Sequence, residues 1–175
     1  MQENLQRMIK LADQFFETRN DPEQISVTPR VMARLRRIHL ATLSEQRTRK
    51  GPIAWILVFP TTKRLMKKFV EGLITEKELL RRTPLNCTYE AVYLCSALVL
   101  PEHRGKGTAK RLLTKAVRSI QRDHPIEHLF FWAFSTRGAR LARTVAQTLK
   151  LPLVRRIKKQ ARAGNRAHQR KAKLP

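Results

Sequence analysis

Residues 97–113 constrain the fold of this chain more than any other stretch, because they read as a strand, a loop and a helix in direct succession. An apolar run typical of a β-strand ends at Pro101, and a loop with two glycines, Gly105 and Gly107, follows it. The helix is predicted from a 3.6-residue repeat of apolar residues, namely Leu112, Leu113, Ala116, Val117 and Ile120. Glycines let the backbone approach a ligand closely, and the first turn of a helix offers unpaired N–H groups. The stretch is therefore a candidate anion site.

Two familiar phosphate-binding patterns do not fit this loop. The P-loop pattern G-x-x-x-x-G-K-[ST] fails because Gly105-Lys106 is followed by Gly107, and no glycine lies five positions upstream. The dinucleotide pattern G-x-G-x-x-G fails because Lys110 stands where the third glycine belongs. The sequence therefore favours an anion that these two motifs do not bind.

A third pattern, R-x-x-G-x-A, does fit, with Arg104, Gly107 and Ala109 at its fixed positions after a strand that ends in Val-Leu-Pro. This arrangement resembles the coenzyme A loop of the GNAT family of N-acetyltransferases. In that family the backbone amides of the loop hold the pyrophosphate of acetyl-CoA. The preceding strand splays from its neighbour and hydrogen-bonds the pantetheine arm. The alternative is a basic strand-to-helix turn that binds no ligand.

The order of predicted elements in residues 88–157 also resembles the GNAT core: strand, loop, helix, strand, helix, strand. The resemblance implies an α/β fold with a mixed, mostly antiparallel sheet, split at its two central strands and flanked by helices. It also implies a single domain over residues 1–157, with N-terminal helices in residues 1–50 and the acetyl-CoA-binding core in residues 88–157. Residues 158–175 are basic and poor in apolar side chains, so we expect a flexible tail there.

The first half of the chain fits the family less well. Thr28-Pro29 is typical of a helix start, and Pro60 is expected to close an apolar strand. The predicted elements are helices over residues 3–19, 29–44, 62–70 and 76–82 and a strand over residues 55–59. The family usually has a hairpin directly before the central strand. Part of the sheet is therefore expected to be missing or replaced.

The net charge of +24 is unevenly distributed, because no acidic residue follows Glu127 while arginine and lysine continue to Lys173. Such a field attracts polyanions and does not suit a pocket for a polycationic substrate. The candidate partners are RNA, DNA, ribosomes, an acidic carrier protein, or only the coenzyme. The acceptor is expected to be a small-molecule or macromolecular amine that is anionic or linked to something anionic. A charge that serves only solubility is the remaining alternative.

Location and metal binding follow from what the sequence lacks. No apolar run reaches the roughly 18 residues of a membrane span, and residues 1–10 have no apolar core of a secretory signal. Cys87 and Cys95 are not in C-x-x-C spacing and are expected to be reduced core residues. His124 and His128 are separated by Pro125, which denies them a shared helix face for a metal. We expect a cytoplasmic protein without a metal or a membrane partner, and the oligomeric state is open.

Acetyl transfer requires a deprotonated amine, a donor for the tetrahedral oxyanion and an acid for the leaving thiolate. The resemblance implies an oxyanion donor at a backbone N–H near Leu98 or Val99, with Leu98, Val99 and Leu100 lining the pantetheine arm. The implied pyrophosphate site consists of Arg104, Gly105, Lys106, Gly107, Thr108 and Ala109. Ser135 stands where family members often carry an Asn that touches the coenzyme. A plain helix cap is an equal alternative for Ser135.

Glu90 and Tyr93 are the catalytic candidates. Glu90 lies about one position from the place where several family members hold a catalytic Glu, and pairing with an arginine is the alternative. Tyr93 is the polar candidate three residues further on, so it faces the other side of the strand unless a bulge intervenes. Many family members carry a Tyr acid on the helix at residues 136–149, which has none here. Water could replace that acid, because a thiol has a pKa of only ~8.5.

We therefore predict an acyl-CoA-dependent N-acyltransferase that transfers an acetyl group from acetyl-CoA directly to a primary amine. The alternative is a protein with the same fold but with weak or no catalysis. That protein would bind nucleic acid or ribosomes through its basic surface.

Overall fold

The computed structural model describes residues 3–17 and 23–156 of the 175-residue chain, so the predicted tail at residues 158–175 lies outside the described residues. The described residues form one five-stranded sheet flanked by helices. The helices are α1 (Glu3–Glu17), α2 (Pro29–Ile38), α3 (Lys63–Val70), α4 (Glu76–Arg82), α5 (Thr108–Asp123) and α6 (Thr136–Leu149). The strands are β1 (Leu43–Thr48), β2 (Gly51–Thr61), β3 (Ala91–Val99), β4 (His128–Phe131) and β5 (Leu153–Arg155). The predicted α/β class is confirmed.

The sheet has the strand order β1-β2-β3-β4-β5. β1, β2 and β3 pair antiparallel, whereas β3, β4 and β5 pair parallel. The sheet is therefore evenly mixed by strand pair, and not mostly antiparallel as predicted. The two parallel pairs follow from the helical crossovers, because α5 and α6 each return the chain to the start of the next strand.

The region before β2 differs from its prediction. Helix α2 begins at Pro29 behind the Thr28 cap as expected, but it ends at Ile38, because His39 is extended and its Nδ1 accepts a hydrogen bond from the Ala41 N–H. The predicted extension to about Ser44 is therefore wrong. Residues of that segment form β1, which makes a hairpin with β2.

Strand β2 is longer than predicted and contains Pro60 instead of ending before it. Pro60 pairs with Val92 of β3. The pairing of β2 with β1 runs from Gly51 only as far as Leu57, so it does not reach Pro60. A proline lacks the N–H that a second neighbour would need, so it is tolerated where β2 has a partner strand on one side only.

The helices between β2 and β3 are confirmed, and α3 closes one face of the sheet. Thr62 caps α3, and Thr75 forms a reciprocal capping box with Glu78 at the start of α4. The fully buried Phe69 of α3 packs edge-on against Tyr93 and Phe130, with ring centroids 5.0 and 5.9 Å away. This packing places α3 and α4 over the part of β3 that precedes the loop.

Helix α1 lies across β2 and β3 near the end of β3. Met8 is fully buried with Ile53, Leu98 and Leu100 in a second small apolar cluster. The neighbouring Ile9 is 45% exposed, because the next residue along a helix points about 100° away. None of the helices in the described ranges is both long enough and apolar enough to cross a lipid bilayer.

Candidate functional site

Strand β3 separates from β4 before it ends. Their parallel pairing runs from Ala91↔His128 to Leu94↔Phe131, whereas β3 continues to Val99 and β4 stops at Phe131. On its other side β3 remains paired with β2 as far as Val99. Within the described residues, the β4-facing edge of β3 therefore has no partner strand after Leu94.

The peptide groups at this open edge can be assigned from the register. The Leu100 N–H donates to the Ile53 carbonyl of β2 at 3.0 Å, and successive residues of a strand turn their peptide groups to alternate edges. The N–H and C=O groups of Val99 and Ala97 therefore point away from β2, toward the open edge. Of the two predicted oxyanion donors, Val99 is the one at this edge, and Leu98 is turned toward β2.

A β-bulge lies where the two strands part. Leu57 of β2 pairs with Ser96 and the next residue, Val58, pairs with Leu94, so Cys95 is an extra residue in β3. A bulge re-aims side chains and locally disrupts pairing. The bulge lies after Tyr93, so it does not bring Glu90 and Tyr93 to one side of the strand.

The loop between β3 and α5 forms as the sequence predicts. Gly105 and Gly107 have positive φ angles of 75° and 72°, a conformation that glycine adopts without steric cost. Gly107 is the N-cap of α5 and supplies no side-chain hydrogen bond to the first turn. The N–H groups of that turn, which begins at Thr108, therefore lack a side-chain cap, and the positive end of the helix dipole coincides with them.

Two arginine side chains donate hydrogen bonds to backbone carbonyls at the two ends of the loop. Arg104 Nε donates to the Val99 carbonyl at 2.9 Å. Arg111 Nη1 donates to the Lys106 carbonyl at 2.7 Å, and a Cβ added to Gly107 would lie 3.3 Å from the same nitrogen. Arg111 was not among the predicted site residues, although its position one turn into the predicted helix could have indicated it. The structure thus places a second guanidinium group directly against Gly107.

The N-terminal helix is tied to this loop by an ion pair. Arg7 and Glu102 are 2.7 Å apart, and both side chains are nearly half exposed. The hydrogen bond from Arg7 lowers the pKa of Glu102 to about 2. Residues 101–103, which include Glu102, form a short 3-10 turn at the beginning of the loop. The ion pair therefore holds α1 against the loop only while the Glu102 carboxyl is ionised.

This ion pair predicts a pH dependence of stability. Because the pKa of Glu102 is lowered from 4.5 to about 2 in the folded protein, the pair stabilises the fold fully above pH 4.5 and loses its effect as the pH falls toward 2. Thermal unfolding of Glu102→Gln should therefore differ from the wild type at neutral pH and converge with it near pH 2. Glu71→Gln, which removes another exposed acid, should run parallel to the wild type. Equal pH profiles of Glu102→Gln and the wild type would contradict this interpretation.

Glu90 lies at the other end of β3 from the loop. Its Oε2 accepts a hydrogen bond of 3.0 Å from the Lys63 N–H, so the carboxylate caps the first turn of α3. Within the described residues, this helix cap takes the place of the arginine pair expected as the alternative.

Tyr93 contacts a different carboxylate, that of Glu76. The Tyr93 hydroxyl donates to Glu76 Oε1 at 2.6 Å, and Cys95 Sγ lies 3.4 Å from the same oxygen. Glu76 Oε2 accepts a hydrogen bond of 2.7 Å from the Ile25 N–H. Glu76 is only 2% exposed. The structure therefore joins Tyr93 and Cys95 through a buried acid that sequence reasoning had placed only at the start of a helix.

Ser135 is a helix cap in the structure. Its Oγ accepts a hydrogen bond of 3.0 Å from the Gly138 N–H, at the first turn of α6. Of the two alternatives for Ser135, the cap is thus observed. Ser135 follows the end of β4, and the loop before α5 follows the end of β3. Because these two strands are parallel, both segments lie at the same edge of the sheet.

Exposed basic residues cover α5. Arg111, Lys115, Arg118 and Arg122 recur every three or four residues and are all exposed, so they form one line along the helix, which we call the α5 basic stripe. Helix α6 packs against α5 and carries further exposed cations: Arg137, Arg140, Arg143 and Lys150. Both helices therefore present positive charge to solvent.

In the part of the chain that the structure describes, no group of three or more His, Cys, Asp or Glu side chains could hold a metal ion. Comparisons of the chain with protein-family models, with curated proteins and with solved structures found no match.

Proposed function

We propose that this protein is an acyl-CoA-dependent N-acyltransferase of the GNAT type that transfers an acetyl group from acetyl-CoA to a primary amine. The observation that carries the proposal is the open edge of β3 followed directly by an uncapped helix start. Val99 offers its N–H at that edge, while its carbonyl accepts from Arg104, and the loop with Gly105 and Gly107 offers backbone N–H groups to a phosphate.

The proposed donor site divides the coenzyme between the strand and the loop. The pantetheine arm would extend along residues 98–100, and its amides would bond the outward peptide groups of β3. The pyrophosphate would lie at Gly105, Gly107 and the first turn of α5. Exposed basic side chains beside the loop add positive charge: Arg104, Lys106 and Arg111.

The acceptor would enter from the side on which α3 and α4 lie. There the hydroxyl of Tyr93 and the carboxylate of Glu76 lie beside the bulge at Cys95. Tyr93 is fully buried, Glu76 is 2% exposed, and the two bond each other, so we propose that they hold β3 in position beside the acceptor and do not deprotonate the amine. The carboxylate of Glu90 is likewise engaged, because it caps α3.

The test is release of the free coenzyme A thiol from acetyl-CoA in the presence of separate amine classes: amino acids, polyamines, aminoglycosides and aminoacyl-tRNA. The proposal predicts release above the uncatalysed rate with at least one class, most readily with an anionic amine or one linked to an anion. It predicts no release by Gly107→Glu. Release that no amine class accelerates would contradict an acyltransferase.

A second candidate function is nucleic-acid binding through the α5 basic stripe. The stripe spans about three helical turns, or ~16 Å, and helix α6, which packs against α5, carries further exposed cations. Lysine and arginine at this spacing can neutralise several phosphates of one strand, so the affinity would fall steeply with salt. The observation that favours this function is the regular exposure of all four side chains along one helix face.

The stripe predicts a measurable salt effect. Replacing Lys115 and Arg118 by Gln should weaken binding to a short RNA about tenfold or more and reduce the salt slope by about 2, one for each lost phosphate contact. The matched control replaces Arg64 and Lys67, two exposed cations of α3, and should leave the slope unchanged. Equal losses in both double variants would contradict a specific stripe, as would undetectable binding by the wild type at low salt.

A further inference from the structure

Arg156 is a cation that the fold buries. It follows β5 directly, and its N–H donates to the Phe131 carbonyl at the end of β4 at 2.9 Å. Its side chain is only 7% exposed. Arginine is almost never this buried unless its guanidinium group is paired with other groups, because removing the charge from water is costly.

Two aromatic rings hold the guanidinium group. The Arg156 Cζ lies 4.4 Å from the ring centroid of Phe69 and 4.3 Å from that of Trp132. Stacking on both rings fixes the plane of the group before any ligand arrives, so little side-chain entropy would be lost on binding. The arginine is thus pre-organised as an anion receptor.

The hydrogen bonds of this guanidinium group are incomplete. Nη2 donates to Glu23 Oε2 at 3.2 Å. Nη1 is buried and has no hydrogen-bond partner among the described residues. A buried donor without an acceptor costs free energy that a bound acceptor would recover. One arm of the fork therefore lacks an acceptor, which a ligand could supply.

The guanidinium group stacks on Phe69 of α3, so it lies on the acceptor side of the proposed donor site. Trp132 is the first residue after β4, where β3 and β4 part. Phe69, which stacks on Arg156, also packs on Tyr93. Phe134 is 40% exposed, and its ring lies 4.4 Å from that of Trp132, so an apolar surface borders the arginine.

We propose that Arg156 binds the carboxylate of the acyl acceptor, which is therefore an amine that carries a carboxylate and an apolar side chain, such as an apolar amino acid. This inference rests on the proposed acyltransferase function and names its substrate class. A carboxylate fits better than a phosphate for two reasons. Glu23 already occupies Nη2 and would repel a dianion, and a single carboxylate oxygen suffices to satisfy Nη1.

The test uses a matched pair of probes that need no acyl transfer, N-acetyl-L-phenylalanine and its amide, titrated by calorimetry. The wild type should bind the carboxylate about tenfold more tightly than the amide. Arg156→Met should abolish this preference, and Arg156→Lys, which keeps the charge but loses the planar fork, should reduce it. Arg155→Met is the control, because it removes the neighbouring exposed cation, and it should keep the preference.

The inference would be overturned if the wild type bound the two probes equally or bound neither. It would also be overturned by an unchanged preference in both Arg156 variants, or by tighter binding of inorganic phosphate at this site. If Arg156→Met does not fold, Arg156→Lys and the wild-type comparison still decide. Acetyl transfer to phenethylamine as fast as to phenylalanine would leave the acyltransferase in place and overturn the carboxylate site. A carboxylate preference without any acetyl transfer would leave the carboxylate site in place and overturn the acyltransferase.

Discussion

The Glu76→Ala variant is expected to lower the free energy of unfolding by about 3 kcal/mol or more, the largest stability effect of any single change discussed above. Glu76 is 2% exposed, and its two oxygens accept hydrogen bonds from Ile25 and Tyr93. Each buried donor that loses its acceptor costs about 1–3 kcal/mol. Urea unfolding measures the change directly.

The control for this variant is Lys77→Ala, the next residue of α4, whose exposed side chain should matter by no more than about 0.5 kcal/mol. A double-mutant cycle with Tyr93→Phe tests the contact itself. Tyr93→Phe removes the donor that Glu76→Ala deprives of its acceptor. The double variant should therefore lose less stability than the sum of the two single losses, by about 0.5–3 kcal/mol. Strict additivity, or a Glu76→Ala loss no larger than that of Lys77→Ala, would contradict a buried polar link between α4 and β3.

The Gly107→Glu variant is expected to lose at least about 100-fold in affinity for acetyl-CoA. Gly107 has a φ of 72°, and a Cβ there would lie 3.3 Å from Arg111 Nη1. A carboxylate at this position would occupy the proposed pyrophosphate site and repel its charge. Gln147→Glu, which introduces the same negative charge at an exposed position of α6, should bind acetyl-CoA as the wild type does.

Backbone strain is separated from crowding by two alanine variants. Gly105 and Gly107 share the positive φ region, but a Cβ on Gly105 meets nothing within 4 Å. Gly105→Ala and Gly107→Ala should therefore lose similar stability, about 1 kcal/mol each, and Gly107→Ala should weaken acetyl-CoA binding more than Gly105→Ala. Wild-type affinity in Gly107→Glu would contradict the loop as the phosphate site.

The features that sequence reasoning predicted best are local ones. The strand, glycine loop and helix at residues 97–113 depend on neighbouring residues, on glycine conformations and on one helical period. The helix start at Thr28 is local for the same reason, and its cap is observed. Strand β1 was missed because its sequence, LSEQRT, has no apolar face and is held by backbone pairing with β2.

The residues that sequence reasoning missed at the candidate site act over long separations. Glu76 meets Tyr93 across 17 residues and Ile25 across 51, so no local pattern joins them. Arg156 stands in a basic run at the end of the predicted domain, and nothing in its neighbours indicates that the fold buries it between two aromatic rings. Glu90 was chosen by its place in the strand, which could not reveal that its carboxylate caps α3.

Thermal unfolding with and without acetyl-CoA tests the central proposal most directly. At about 100 times its wild-type Kd the coenzyme should add about 2.7 kcal/mol to the free energy of unfolding of the wild type and no more than about 0.4 kcal/mol to that of Gly107→Glu. Free adenosine nucleotides at the same concentration should add less, because they lack the pantetheine arm that residues 98–100 of β3 are proposed to bind. No stabilisation of the wild type by millimolar acetyl-CoA would contradict the proposal.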